Sequence, residues 1–263
     1  MPRTLQVITG TVNAGGAGYN TVTASPGSSF TVAAGVTEGN INLEQVWCKG
    51  ATTDQTRIFS PRMHDNNVGI QLQTGTTLLR PLLPWDTDQP LYPADTPTVQ
   101  THATGAGQSG IGVMYEYLDL PGANPRLATW DDVNNRVEQV YAQQVAITTS
   151  ATIGSYGANV ALNAATDNFK ANRDYALLGY TVSAACLAVT ITGPDTSNYP
   201  IGGPGDPDPV FTRELFKRAS QDTGRAFIPI IAGNNRASTF VAGVDTAAST
   251  AVNVSLTLAL LKQ

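Results

Sequence analysis

The sequence has few charged residues and no long apolar run. Asp, Glu, Lys and Arg make up 13% of its 263 residues, and the net charge is -5 at pH 7. A free-standing nucleic-acid-binding domain needs a dense basic face, so we expect no direct, sequence-specific contact with nucleic acid. No apolar run approaches the ~18 residues of a transmembrane helix. The N-terminal M-P-R-T-L-Q-V-I-T-G lacks the apolar core of a signal peptide, so we expect synthesis in a cytoplasm.

Cysteine and histidine are scarce, which limits metal and redox chemistry. Cys48 and Cys186 permit one disulfide, but both follow apolar or aromatic residues, and we predict two buried thiols. His64 and His102 stand alone in polar segments, and we predict exposed loop residues. A metal site needs several convergent ligands, so we predict no metal site and no cofactor.

Other catalytic patterns are also sparse. No Gly-x-Ser-x-Gly elbow occurs, and the acidic pairs lack the spacing of a calcium-binding loop. We therefore assign turn and helix-cap roles to these pairs and predict no catalytic residues and no enzyme. The pairs are Asp86/Asp88, Asp131/Asp132 and Asp206/Asp208.

Short, β-branched, alternating segments separated by Gly- and Pro-rich turns predict an all-β protein. In the first half we predict strands at 5–12, 19–24, 29–34, 41–48, 57–59, 68–73, 78–83 and 111–118. In the second half we predict strands at 145–152, 159–162, 175–182, 187–192, 227–232, 238–244 and 252–261. Residues 84–110 and 193–209 are rich in proline, and we predict long loops that carry function or contacts.

Residues 129–149 lie at the middle of the chain and predict a short helix that runs into a strand. Thr129 can cap free N–H groups, and Asp131 and Asp132 follow in the first turn. Val133, Val137 and Val140 continue at helical spacing, and alternation starts at Tyr141. We interpret this segment as the seam between two similar β-domains.

Residues 211–223 predict a second helix, which has no counterpart in the first half. Phe211, Leu215 and Ala219 are four apart and form one apolar face. Pro209 suits the first turn, and Gly224 suits a left-handed stop. We predict a helix of about three turns, packed on the outside of a barrel.

Similar residues recur across the seam at a nearly constant separation, which indicates an internal duplication. Val7 corresponds to Val145, and Cys48 corresponds to Cys186. Each half then holds about eight short strands, which fits a jelly roll. An immunoglobulin-type sandwich is the alternative, without its Cys–Trp–Cys spacing. We predict barrels at 1–128 and 141–263, joined by 129–140.

Two tandem barrels, low charge and an external helix in the second barrel resemble the double jelly-roll major capsid proteins of tailless icosahedral viruses. The resemblance covers the whole chain and rests on architecture. It implies a major capsid subunit of a bacteriophage-like virion, in which homotrimers form pseudo-hexagonal capsomers that self-assemble into a shell. The implied partners are copies of the same chain, minor capsid proteins and an internal membrane.

Two other classes of function fit the same composition. A carbohydrate-binding jelly roll of a phage fibre or lectin would stack sugars on aromatic side chains, for which the candidates are Trp85, Tyr92, Tyr115 and Tyr117. A jelly-roll glycosidase would need two carboxylates facing one cleft, and Glu44 and Glu116 are the candidates.

Overall fold

The computed structural model describes residues 2–49, 55–63, 66–73, 89–205 and 209–263, and it is an all-β structure with short helices. The strands of the first half are β1 (Arg3–Ala14), β2 (Gly18–Thr21), β3 (Thr23–Ala24), β4 (Ile41–Lys49), β5 (Gln55–Phe59), β6 (Ile70–Gln73), β7 (Gln89–Pro90), β8 (Thr98–Ala103) and β9 (Gly107–Leu118).

The second half continues the same pattern and contains the helices. Its strands are β10 (Leu127–Ala128), β11 (Val137–Thr148), β12 (Val160–Ala161), β13 (Asp174–Val182), β14 (Cys186–Thr192), β15 (Ile201–Gly205), β16 (Ile228–Ala232), β17 (Phe240–Val244) and β18 (Ala251–Leu261). The helices are α1 (Trp130–Asn134), α2 (Pro209–Thr212) and α3 (Leu215–Thr223), with 3-10 turns at Pro194–Thr196 and Gly233–Asn235.

The strand order is that of two tandem jelly rolls, which confirms the predicted fold. The first five-stranded sheet is β3-β1-β9-β4-β7, and the first four-stranded sheet is β2-β8-β5-β6. The second five-stranded sheet is β10-β16-β13-β18-β11, and the second four-stranded sheet is β12-β17-β14-β15. Apart from the small strands β3 and β10, each half pairs its first strand with its last, and the last with the third. We call the two pairs of sheets the first and second barrels.

The longest strand pair of each barrel joins the beginning of that barrel to its end. In the first barrel β1 pairs with β9 from Arg3↔Leu118 to Ala14↔Gly107. In the second barrel β11 pairs with β18 from Val137↔Leu261 to Thr148↔Ala251. Apolar residues on the inner faces form one core cluster in each barrel, because alternate side chains of a strand point to opposite faces.

The seam begins as predicted but becomes a strand earlier than predicted. Thr129 caps α1 and accepts a hydrogen bond from the Asp132 N–H at 3.2 Å. The helix ends at Asn134, and β11 starts at Val137, although we predicted helical structure up to Tyr141. Pairing with β18 from Val137↔Leu261 onward explains the difference, because the ladder provides backbone partners that an isolated short helix does not.

The predicted helix at 211–223 is divided into α2 and α3. The break falls at Arg213 and Glu214, directly above a bulge in β13. A Cβ at Gly179 would lie 2.4 Å from the carbonyl oxygen of Thr212, so only glycine lets the interrupted helix approach the sheet this closely. Gly224 ends α3 in the left-handed conformation (φ 67°), as predicted.

Both predicted long loops contain strands, so these predictions were wrong. Strands β7 and β8 and the start of β9 lie within residues 84–110, and Pro90 is tolerated because β7 is an edge strand. Strand β15 lies within residues 193–209 and is buried throughout. Conversely, residues 29–34 form no strand. The predicted strand at 78–83 lies outside the described residues.

The residue pairs Val7/Val145 and Cys48/Cys186, which indicated an internal duplication, are not structurally equivalent. Cys48 lies on β4, the third strand of its jelly roll, whereas Cys186 begins β14, the fourth strand of the other. Val7 packs in the core cluster of the second barrel and therefore points out of its own barrel, whereas Val145 points into its barrel. Sequence similarity at single positions was misleading, although the order of strands repeats.

Candidate functional site

The first barrel turns an apolar outer face towards the second barrel. Leu5 and Val7 on β1, Trp47 on β4 and Met114 on β9 are at most 1% exposed. They belong to the same core cluster as the interior of the second barrel, and this face packs on β14 and β15. The two barrels therefore share one continuous apolar region.

Hydrogen bonds fix the position of the barrels relative to each other. The Trp47 indole N–H donates to the carbonyl oxygen of Leu187 at 2.9 Å, and the Val7 N–H donates to that of Pro200 at 2.8 Å. Gly112 makes room for the indole, because a Cβ there would lie 2.2 Å from the ring carbon Cε2. The contact combines buried apolar area with directional bonds, which is typical of a fixed interface.

A buried cluster of charges lies at the same interface. Arg225 follows α3 in the second barrel, and its Nη1 lies 3.4 Å from Glu44 Oε1 and 3.3 Å from Glu116 Oε2. Arg3 forms a further ion pair with Glu116. The two glutamates are at most 1% exposed, so their charges depend on these arginines. Sequence reasoning named both glutamates but missed both arginines, which lie far away in the chain.

A second ion pair across the interface joins Lys49 of β4 to Asp245, at 2.8 Å. Asp245 is 3% exposed. Its carboxylate also accepts the Thr246 N–H at 2.7 Å and the Thr250 hydroxyl at 3.2 Å. With the Thr246 hydroxyl at 3.4 Å, four donors therefore compensate for the loss of water around this carboxylate.

On the second five-stranded sheet α2 and α3 pack on β13, whereas the outer face of β11 is exposed. Val140, Ala142, Gln144, Ala146 and Thr148 alternate along β11 and are all exposed, with Val140 at 52%. In contrast, the outer face of β1 is buried under the second barrel. The exposed face of β11 borders a depression of about 340 Å³, which is lined by Val140, Tyr141, Ala142, Thr181, Arg213, Ser255 and Thr257.

The structure does not bring the predicted sugar-stacking residues together. Tyr115 and Tyr117 are at most 1% exposed, and burial raises both pKa values, that of Tyr117 to about 12. Tyr92 packs instead under the Arg62 guanidinium, 4.5 Å from its ring centre. Trp85 lies outside the described residues. The prediction that these four residues form a stacking platform is therefore wrong.

Glu44 and Glu116 do converge, but on Arg225 rather than on a cleft. Both carboxylates belong to the inter-barrel interface and are closed off from solvent. A glycosidase needs its two carboxyl groups on either side of a substrate. The buried pair can hold the barrels together and cannot receive a sugar in this conformation.

The remaining candidate residues have structural roles wherever the structure describes them. His102 lies on β8 and packs edge-on against Tyr19 at 5.0 Å, so the predicted exposed loop position is wrong. Cys48 and Cys186 are free and buried, as predicted, and burial raises both pKa values to about 12. Asp131 and Asp132 lie in the first turn of α1. His64 and the pairs Asp86/Asp88 and Asp206/Asp208 lie outside the described residues.

Metal-binding clusters and membrane-spanning helices are both absent from the described residues. These residues contain no group of three or more His, Cys, Asp and Glu side chains that could hold a metal ion. None of their helices is long and apolar enough to cross a membrane. The predicted lack of metal, cofactor and catalytic residues stays a prediction.

Comparisons with known proteins gave similar solved structures at low sequence identity. No family model and no curated protein matches the chain. The infectious bursal disease virus VP2 subviral particle shares 13% identity over 100% of this chain and 73% of its own, at a TM-score of 0.20. The STIV MCP shares 10% identity over 98% of this chain and 86% of its own, at a TM-score of 0.19. The structure of T=1 particles derived from infectious bursal virus shares 10% identity over 100% of this chain and 70% of its own, at a TM-score of 0.21. At these TM-scores the fold assignment rests on strand order.

Proposed function

We propose that this chain is a structural subunit of a viral capsid. In this proposal it assembles through trimeric, pseudo-hexagonal capsomers into an icosahedral shell and has no enzymatic role. It resides in the virion after synthesis in a host cytoplasm, and its partners are copies of itself, minor capsid proteins and an internal membrane. The domain limits 1–128, 129–140 and 141–263 belong to the same proposal.

The observation that supports the proposal is that the outer faces of the two five-stranded sheets are buried to different extents. The outer face of the first five-stranded sheet is buried by β14 and β15 of the second barrel. On the second five-stranded sheet α2 and α3 pack on β13, but Val140, Ala142 and Ala146 on the outer face of β11 stay exposed in the described chain. A contact between unlike surfaces that is used once within a chain can be repeated between chains, and it closes into a ring when the rotation fits.

Light scattering after size-exclusion chromatography, followed by negative-stain microscopy, tests this proposal. We expect trimers in equilibrium with larger closed shells. An Ala142→Arg variant places a long cation on the open face and should shift the protein towards monomers. Ala34→Arg is the matched control, because Ala34 is exposed in a turn of the first half. A monodisperse wild-type monomer at high concentration would refute the proposal.

A further inference from the structure

The exposed side chain of Arg213 lies at the break between α2 and α3 and has no protein partner among the described residues. Every other arginine of the described chain has an ion pair or a hydrogen bond. The neighbouring acid, Glu214, pairs instead with Lys217 at 3.0 Å and with Arg218 at 4.0 Å. The positive charge of Arg213 is therefore left for a ligand.

The backbone around Arg213 is fixed on the second five-stranded sheet. A Cβ at Gly179 of β13 would lie 2.4 Å from the Thr212 carbonyl oxygen and 2.6 Å from the Arg213 carbonyl oxygen. The helix break therefore touches the strand directly, and Leu215 is fully buried just beyond it. A guanidinium that extends from a fixed backbone loses less conformational freedom on binding than one on a mobile loop.

Three hydroxyl side chains form a floor beside this arginine. Thr181 on β13 is paired with Ser255 on β18, and Thr257 follows Ser255 on the same face of β18. All three are half-buried, and none of their hydroxyls bonds to another described residue. A hydroxyl can both donate and accept a hydrogen bond, so this floor can bind groups that also do both.

The arginine and the hydroxyl floor line the depression of about 340 Å³ together with Val140, Tyr141 and Ala142 of β11. This volume lies within the range of small-molecule sites. Arg213 is the only charged residue of its lining. The depression thus combines an apolar side, a hydroxyl floor and one cation.

This combination selects the chemistry of the ligand. A guanidinium holds a planar carboxylate through two parallel N–H···O bonds. A phosphate monoester carries between one and two negative charges and would meet no second cation in the depression. Sugar hydroxyls both donate and accept, as the floor requires, and sugar C–H groups can pack on Val140 and Ala142. We propose that the depression binds a carboxylate-bearing sugar, such as a uronic acid, with its carboxylate on Arg213.

The inference goes beyond the proposed function, and the two place different occupants on β11. A bound sugar contacts Val140 and Ala142, which are also part of the face that assembly would cover. The sugar and a neighbouring chain should therefore weaken each other's binding by the same factor.

Replacement of the arginine tests the site in the full chain. We expect saturable binding of methyl glucuronide, followed by NMR shifts, and Arg213→Gln should weaken it at least about tenfold. The matched control is Arg218→Gln, because Arg218 is another exposed arginine of the same helical segment. That variant should change the dissociation constant less than about twofold. Thr257→Val keeps the cation and the side-chain shape, and the loss of its hydroxyl should weaken binding several-fold.

Matched ligands test which groups are recognised. Methyl glucoside has a CH2OH group in place of the carboxylate, and acetate has the carboxylate without the sugar ring. Each should bind at least about tenfold more weakly than methyl glucuronide. No binding of the glucuronide, equal binding by wild type and Arg213→Gln, or equal binding of any two of these ligands would overturn the inference. Tighter binding of methyl phosphate would overturn it as well.

Sedimentation with and without methyl glucuronide separates this inference from the proposed function. We expect the sugar to shift trimers towards monomers. Trimers that persist with the sugar bound would overturn the use of this face in assembly and support the sugar site. Chains that form trimers but bind no glucuronide, even when diluted to monomers, would overturn the sugar site and leave the proposed function intact.

Discussion

Arg225 Nη1 of the second barrel lies 3.3 Å from Glu116 Oε2 of the first barrel. The same guanidinium nitrogen lies 3.4 Å from Glu44 Oε1, so one cation serves two carboxylates on neighbouring strands. The glutamates are buried on the outer face of their own sheet, where each barrel alone would leave them in an apolar surface. The ionic contact therefore specifies how the barrels dock.

Loss of this arginine should destabilise the chain strongly. Arg225→Met keeps most of the side-chain volume but removes the cation between Glu44 and Glu116. Breaking a buried ion pair costs about 3–5 kcal/mol, and we expect about 3 because Arg225 is 26% exposed. Urea unfolding measures this change in the free energy of unfolding. The control is Arg218→Met, at 45% exposure and 4.0 Å from Glu214, which should change it by less than about 0.5 kcal/mol. Equal effects would contradict the assigned role.

A methyl group beneath the Trp47 indole should disturb the interface. Gly112→Ala places a Cβ 2.2 Å from the ring carbon, so the indole must move away from the Leu187 carbonyl. Overpacking of this kind costs about 1–3 kcal/mol. Gly105→Ala is the control, since a Cβ there meets nothing within 4 Å. Thermal unfolding and Trp fluorescence should change for the first variant only, and an unchanged spectrum would mean that Trp47 is not held as described.

One substitution at the interface should stabilise the chain. Gln45 is fully buried on β4, and neither its Nε2 nor its Oε1 has a hydrogen-bond partner among the described residues. A buried amide without partners costs about 1–3 kcal/mol, so Gln45→Met should raise the free energy of unfolding by about 1–2 kcal/mol. Gln144→Met, at an exposed position of β11, is the control and should be close to neutral. A destabilised Gln45→Met variant would show that the amide is satisfied by bound water.

The buried thiols should make stability depend on alkaline pH. Burial raises the pKa of Cys48 and Cys186 from 9.0 to about 12, so the folded chain keeps protons that the unfolded chain loses. The free energy of unfolding should therefore be constant with respect to these thiols below about pH 9 and fall above it, by about 1.4 kcal/mol per pH unit for each thiol.

Urea unfolding of the wild type and of a Cys48→Ala, Cys186→Ala variant, at pH values from about 8 to about 11, isolates this effect. Both proteins share the contribution of their buried tyrosines, so the wild type should lose stability more steeply. Below about pH 9 the double variant should be less stable than the wild type because of the missing sulfur atoms. Parallel slopes would contradict the assigned thiol environment.

Local signals in the sequence were sufficient for the elements that depend on near neighbours. The Thr129 cap, the Gly224 stop and most alternating strands were correctly predicted, because the residues that decide them lie within a few positions. Strand β15 was missed, since Gly202 and Pro204 are poor strand residues. It forms by pairing with β14, and glycine is required at position 202 because a Cβ there would lie 1.9 Å from the Val189 carbonyl oxygen.

The inter-barrel site could be predicted only in part. Alternation placed Glu44 and Glu116 on strands, but the same alternation gives no information about what covers an outer face. Arg225 is 181 positions from Glu44 and 109 from Glu116, and no local pattern connects them.

During translation the apolar outer face of the first barrel is exposed before the strands that cover it have been synthesised. Arg3 pairs with Leu118, so this jelly roll can close once β9 has been synthesised. Its apolar outer face, with Trp47 and Met114, then remains exposed to solvent until β14 and β15 have been synthesised with residues 186–205. Nascent chains on neighbouring ribosomes could pair through this face. Slow synthesis between β9 and β15 would thus favour aggregation, and rapid synthesis would favour the monomeric fold.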